Sequence, residues 1–264
     1  MKLAIITGAS RGIGRETAKT FAKEGYSLLL NCEKNIALLE ELKTEIEGSL
    51  PESQLAGRRV YDEKCTVDKL SPNEITLKQG SFSSAFLEGY FHAKETERVE
   101  IDELVLILNQ GKSVLRLTQE YSADETDSLL QANLLEPFQL AQRMIPYLLR
   151  AKEGRILFSS SVWGNVGASM ESLYSLTKGG INSFVKALGK ELAPSHIAVN
   201  AVAFGAIDTD MNAWLTEEER SSLEDEIPYG RMATVEEAAD FLLLLSKAPL
   251  YLTAQVIPFD GGWI

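Results

Sequence analysis

Histidine and cysteine are both nearly absent, with two of each among 264 residues. Cys32 and Cys65 form no CxxC pair and neighbour no histidine cluster, so neither a zinc site nor a dithiol redox motif is encoded. Two reduced structural thiols are expected, in keeping with a cytoplasmic setting. His92 and His196 have no neighbours suited to metal or triad work and read as solvated or packing residues, so no metal is expected. Long apolar runs are missing too. The apolar start of "MKLAIITGASRG" ends at Thr7, too short for a signal peptide or a bilayer span, and no later stretch is long enough. No membrane partner is expected. Basic residues are in deficit: 26 lysines and arginines face 38 acidic residues, a formal charge of -12. Such a surface repels nucleic acid and anionic lipid at range, so no nucleic-acid partner is expected either.

What is present is an alternation. Apolar residues make up 45% of the chain, enough to bury a real core. Short apolar runs, "LAIIT" (3–7), "SLLLN" (27–31), "ELVLILN" (103–109), "GRILFSS" (154–160), "IAVNAVAF" (197–204) and "AQVIPF" (254–259), read as strands. Between them lie helical patterns: "IGRETAKTFAKEG" with Gly25 as a stop, 37–48, 82–97, 123–151, 172–192 and 234–247. Strands that are apolar throughout belong to a parallel sheet covered on both faces. The expected fold is therefore α/β, a doubly wound parallel sheet in one domain over 1–264. Two segments compete for the third strand, "RRVYDEKC" and "EITLKQ" (74–79). The second is preferred because a helical pattern follows it directly. Residues 49–73 then form an enlarged surface connection, long for a loop without structure.

Two motifs carry chemistry. "TGASRGIG" (7–14) lies between the first strand and the first helix. Gly8 permits a tight turn, Gly12 lets backbone approach a pyrophosphate, and Gly14 lets helix and strand pack closely. The free N–H groups of the helix start face the phosphates. A glycine-rich turn that binds nothing needs fewer glycines than this. Far downstream, in "SSSVWGNVGASMESLYSLTKGG" (159–180), Tyr174 and Lys178 stand at i and i+4, on one face of a helix. A phenol with an ordinary pKa of about 10 is a poor acid at neutral pH, and a neighbouring ammonium is expected to lower it. YxxxK alone is a weak signal, since any solvated helix can produce it.

TGxxxGxG together with a distant YxxxK resembles the short-chain dehydrogenase/reductase family, over nearly the whole chain. The resemblance implies a single-domain Rossmann enzyme with a parallel sheet of about seven strands. It implies an NAD(P)-dependent oxidoreductase acting on C=O and CH–OH groups. It assigns catalysis to Asn133, Ser161, Tyr174 and Lys178: Ser161, thirteen residues before Tyr174, orients the substrate, and Asn133 supports a water that relays protons to the lysine. It assigns the dinucleotide to Gly8, Ser10, Arg11, Gly12, Ile13 and Gly14, to Glu33, to Asn109 and Gly111, to Tyr174 and Lys178, and to Ile207 and Thr209. The resemblance also implies a substrate lid at residues 205–230 and a homo-oligomer, tetramer or dimer, formed through the two long helices and the last strand.

The departures from the family pattern bear on the cofactor. The Asp of NAD-type members falls at Cys32, and Arg11 suits a 2′-phosphate, so NADP(H) is preferred, with NAD(H) the alternative. Glu33 accepts from a free ribose hydroxyl or repels a phosphate, and Lys34 offsets it. Gln110 replaces a family alanine, Phe204 a family proline, and the adenine-contact Asp of the third strand is missing. Within the family the chain is most similar to 3-oxoacyl-acyl-carrier-protein reductases, and "GKS" (111–113), "EIPYGRM" and "GGW" resemble the elongation factor P 5-aminopentanone reductases. The expected substrate is a ketone, small or carried on a protein. A fatty-acid-synthesis reductase is the first alternative, a catalytically silent nucleotide-binding interaction protein the second. Trp163 reads equally as cleft lining or core.

Overall fold

Alternate residues of each strand point to opposite faces, and here both sets are buried. Leu3 and Ile5 join one apolar cluster, Ala4 and Ile6 the other. The computed structural model describes residues 1–51 and 74–264. It shows one parallel sheet of seven strands in the order β3-β2-β1-β4-β5-β6-β7. The strands are β1 (Lys2–Ile6), β2 (Ser27–Cys32), β3 (Ile75–Gln79), β4 (Glu103–Leu108), β5 (Glu153–Ser161), β6 (Ile197–Phe204) and β7 (Gln255–Phe259). Each sequence-predicted strand is found within one residue at either end.

The helices are α1 (Gly12–Lys23), α2 (Ile36–Ser49), α3 (Ser84–Thr96), α4 (Ala123–Leu130), α5 (Glu136–Leu148), α6 (Trp163–Val166), α7 (Ser172–Leu192), α8 (Glu217–Glu226) and α9 (Val235–Ser246). On one face the sheet is covered by residues such as Leu87, Leu140, Ile181 and Val185 from α3, α5 and α7. On the other it is covered by Ala18, Phe21, Leu39, Leu42 and Leu242 from α1, α2 and α9. Strand order reverses between β1 and β4, which opens a crevice at their carboxyl ends, the place where open α/β sheets bind ligands.

"EITLKQ" is the edge strand β3, paired with β2 from Leu28↔Ile75 to Cys32↔Gln79. A buried ion pair that the pattern did not announce fixes it: Lys94 of α3 reaches Glu74 at 2.5 Å, both side chains 2% exposed. The competing strand "RRVYDEKC" and most of the 49–73 connection lie outside the described residues. The predicted helix 123–151 is interrupted: a π turn at Gln131–Leu135 separates α4 from α5, with Asn133 at its centre. Such turns insert one residue and re-aim side chains, often at functional sites.

Candidate active site

The turn after β1 is shaped by contacts that exclude side chains. Gly8 and Gly12 stand at φ +63 and +51, the left-handed region that favours glycine. A Cβ on Gly14 would stand 2.4 Å from the Gly8 carbonyl oxygen and 2.6 Å from Asn109 Nδ2, so α1 packs on the turn with no room for a methyl group. Side chains brace the same turn. Asn31 Oδ1 accepts from Gly8 N (3.1 Å) while its Nδ2 donates to Gly80 O (2.9 Å). Thr7 Oγ1 accepts from the backbone of Asn109 (2.9 Å) and Gln110 (3.3 Å). A Cβ on Gly12 would lie 3.4 Å from Thr209 Cγ2, so the segment after β6 closes over the helix start. Thr7 and Asn31 escaped the sequence reading; their only signal is a polar residue at the end of an apolar strand. This bare-backbone cradle fits a dinucleotide pyrophosphate.

The three serines of "SSS" do three different things. Ser159 Oγ donates to Asn109 Oδ1 (2.9 Å), and its carbonyl accepts from Lys178 Nζ (2.8 Å). Ser160 is turned into the packing, donating to Asn182 Oδ1 at 2.5 Å. Ser161, the last residue of β5, lies close enough to Tyr174 to favour its charged form, and its Oγ accepts from Trp163 N (3.2 Å). Tyr174 and Lys178 sit on the buried face of α7, with Nζ 5.5 Å from the phenol ring centroid. α6 and α7 approach at backbone distance. A Cβ on Gly164 would lie 2.6 Å from the Lys178 carbonyl carbon, so the Ser161 loop is held against the Tyr-Lys helix.

Asn133 uses its amide on the loop after β4: Oδ1 accepts from Lys112 N (2.8 Å), and Nδ2 donates to Lys112 O (2.7 Å) and Thr177 Oγ1 (3.3 Å). Its side chain therefore clamps that loop rather than contacting Lys178. A Cβ on Gly111 would meet Lys178 Nζ at 3.5 Å and Asn133 Oδ1 at 3.7 Å, which places Gly111 between the two. Ile207 C=O accepts from Asn212 Nδ2 (2.8 Å). Trp163 packs edge-on against Trp263, centroids 4.9 Å apart, joining the carboxyl-terminal turn to the site. Phe204, at the proline position, is buried in β6 against Phe259. Arg11 is exposed, and Glu33 pairs with Lys112 Nζ at 3.2 Å. Gln110 lines a cavity of about 70 Å³ with Asn31, Glu136 and Arg143, beside the glycine turn. Among the described residues no group of acidic, histidine or cysteine side chains is arranged to hold a metal ion, and no helix is long and apolar enough to cross a membrane.

The electrostatics depart from the expectation at one point. Burial pushes the Tyr174 phenol above its ordinary range, and the Glu171 carboxylate pushes it further, while Ser161 pulls the other way. Burial pulls Lys178 down to about 8. The lysine does not lower the tyrosine here, because its own charge is disfavoured by the same enclosure. A phenol held protonated is the form that gives a proton to a carbonyl oxygen. The lysine has a consequence for stability. Below pH 8 it is charged folded and unfolded, and its burial cost is felt in full. Between about 8 and the ordinary 10.5 the folded chain sheds the proton first, so stability rises with pH across that window. The full swing is of order 3 kcal/mol. Urea denaturation of the wild-type chain between pH 8 and 10 is expected to show this rise and Lys178→Met to flatten it; parallel profiles would contradict the burial argument.

Comparison with known proteins agrees with this geometry. Residues 2–61 match the family model described as short chain dehydrogenase, and residues 87–264 match one described as Enoyl-(Acyl carrier protein) reductase. The chain is 36% identical to a Bacillus subtilis protein named "Uncharacterized oxidoreductase YmfI", over 99% of this chain and 98% of that one. It is 32% identical to the 3-oxoacyl-[acyl-carrier-protein] reductase FabG of Aquifex aeolicus, over 99% and 96%. The crystal structure of a 3-oxoacyl-[acyl-carrier protein] reductase from Brucella melitensis superposes with a TM-score of 0.79 at 25% identity, covering 100% of this chain and 91% of that one. The chain belongs to the short-chain dehydrogenase/reductase family. It is an oxidoreductase acting on carbonyl and hydroxyl groups with a nicotinamide dinucleotide, of the class that includes the 3-oxoacyl-acyl-carrier-protein reductases.

Proposed function

We propose that the chain is an NADP(H)-dependent ketone reductase in which Tyr174 is the general acid, with a substrate carried on a protein, as in the elongation factor P 5-aminopentanone reductases. The glycine turn would hold the dinucleotide pyrophosphate, and a bound reduced dinucleotide would supply the hydride. Tyr174 gives its phenolic proton to the ketone oxygen as that oxygen gains charge. Ser161 donates a hydrogen bond to the same oxygen. Lys178 holds the nicotinamide ribose and returns a proton to Tyr174, and Asn133 keeps the Gly111–Lys112 loop in place beside it. Ile207 and Thr209 would hold the carboxamide. Residues 205–230, with α8 and the exposed Met211, Trp214 and Tyr229, act as the substrate lid. The NADP(H) preference is supported by the exposed Arg11 and by Lys112, which offsets the charge of Glu33. The exposed Leu135, Phe138 and Leu176 near α5 and α7 support a homo-oligomer built on those helices.

One observation carries the substrate reading. An enzyme that grips an acidic carrier protein needs free basic residues beside its cleft. By family resemblance one of these is Lys152, and its Nζ is bound to Asp102 (2.7 Å) and Glu100 (3.1 Å). The other position reads Pro194-Ser195-His196 and carries no fixed charge. With a net charge of -12 the chain repels an acidic partner. The names of the FabG relatives favour the fatty-acid reaction as the second reading. The assembled Ser161, Tyr174 and Lys178 weigh against a silent nucleotide-binding protein. The test is NADPH consumption with a ketone-bearing elongation factor P and with an acetoacetyl carrier protein. The first is expected to give at least a tenfold higher kcat/KM; a preference for the carrier protein would overturn the reading. NADH in the same assay checks the cofactor, since equal use of both would remove the NADP(H) preference.

A further inference from the structure

α7 begins without a side-chain cap, as α1 and α2 also do. α4, α8 and α9 begin with Ser122, Thr216 and Thr234, whose hydroxyls accept from the backbone of the first turn. At the same position α7 has Glu171, and its side chain caps nothing. The residue before it, Met170, stands at φ +63, a region a side-chain-bearing residue rarely adopts. The Glu171 carboxylate instead turns toward the loop after β4, where Oε1 accepts from Ser113 Oγ at 2.5 Å. Ser113 lies two residues past Gly111, the residue between Lys178 and Asn133. Glu171 itself lies three residues before Tyr174, about 5 Å along the helix. After burial, its charge is the next influence on the Tyr174 phenol. No lysine or arginine among the described residues pairs with it. Exposed apolar side chains lie in the segment leading to it, at Val166 and Met170.

A partly buried carboxylate without a basic partner, one helical turn from a proton donor and next to apolar surface, matches one kind of ligand: a cation on a short aliphatic stem. We propose that Glu171 is a specificity residue that receives a positively charged amino group of the substrate, so that the site selects ketones bearing an aliphatic ammonium over neutral ones and rejects anionic ones. This rests on the reading of Tyr174 and Lys178 as the reducing pair and adds to it the group that recognises the rest of the substrate. A charge-assisted hydrogen bond from an ammonium to a half-buried carboxylate changes binding by roughly tenfold. A purely structural Glu171, tying the α7 start to the Ser113 loop, would affect all ketones alike.

The experiment uses the full-length chain, NADPH and a matched pair of ketones. One bears a trimethylammonium group, which cannot cyclise onto the carbonyl, and the other its uncharged tert-butyl isostere. Wild type is expected to favour the cation about tenfold in kcat/KM, the difference lying in KM. In Glu171→Gln, which keeps an acceptor for Ser113, the ratio is expected to fall to near one, and in Glu171→Lys to invert. Any effect of Glu171 on the acidity of Tyr174 acts on both ketones and cancels in the ratio. Ser113→Ala, which frees the carboxylate, is expected to keep the preference. An unchanged ratio in Glu171→Gln, or a preference lost in Ser113→Ala alone, overturns the proposal. If wild type reduces neither ketone, the reductase reading itself has failed, and the two failures are told apart.

Discussion

Tyr174→Phe is expected to lower kcat about 10³-fold while leaving dinucleotide affinity close to wild type. The substitution removes one oxygen and keeps the ring, which is buried against α7 and near the Lys178 ammonium, so packing is preserved. What it removes is the phenolic proton beside Ser161. A factor of 10³ corresponds to about 4 kcal/mol in the barrier, within the range of a positioned general acid. Single-turnover reduction and fluorescence titration with NADPH separate the two readouts. Turnover within tenfold of wild type would remove Tyr174 from the mechanism, and loss of dinucleotide binding would give it a structural role instead.

Gly14→Ala is expected to be as damaging by a different route. Its methyl group would stand 2.4 Å from a backbone carbonyl oxygen, which cannot yield cheaply, and 2.6 Å from the side-chain amide of Asn109, which is tied to Ser159. Asn109 is tied to Ser159, and Ser159 to Lys178, so a shift at the turn reaches α7 through two hydrogen bonds. Overpacking of this kind costs about 1–3 kcal/mol of stability. Dinucleotide affinity is expected to fall at least 100-fold, because the helix start that faces the phosphates is displaced. Among the described residues, Gly48 in α2 has nothing within 4 Å of the same added methyl group. Gly48→Ala is therefore expected to raise stability by about 0.5–1 kcal/mol through helix propensity. Thermal denaturation of the two variants with a dinucleotide titration checks the contrast; a Gly14→Ala chain that melts and binds like wild type would contradict the close approach.

Most of the sheet was legible because strands covered on both faces must be apolar throughout, and helices packed on one face must be periodic. The edge strand was legible only as a choice between two segments. The α4–α5 break was not legible, since a π turn changes hydrogen-bond register without changing the apolar pattern around Asn133. In the site, motif spacing located Gly8, Gly12, Gly14, Ser161, Tyr174 and Lys178. It did not reveal that Asn133 spends its amide on Lys112, that Thr7 and Asn31 brace the glycine turn, or that Glu171 faces Ser113 across 58 residues of chain. Those contacts join residues distant in sequence, and no local period records them.

The amino-acid order by itself determined the doubly wound α/β class, the absence of metal-binding and redox motifs, and a Tyr-Lys pair on one helical face, because each depends on local period, spacing or composition. Only the tertiary structure decided that Asn133 clamps the loop after β4, and that enclosure raises Tyr174 while pulling Lys178 down to about 8. Burial and charge at a side chain are sums over everything packed around it, and that neighbourhood exists only once the chain has folded.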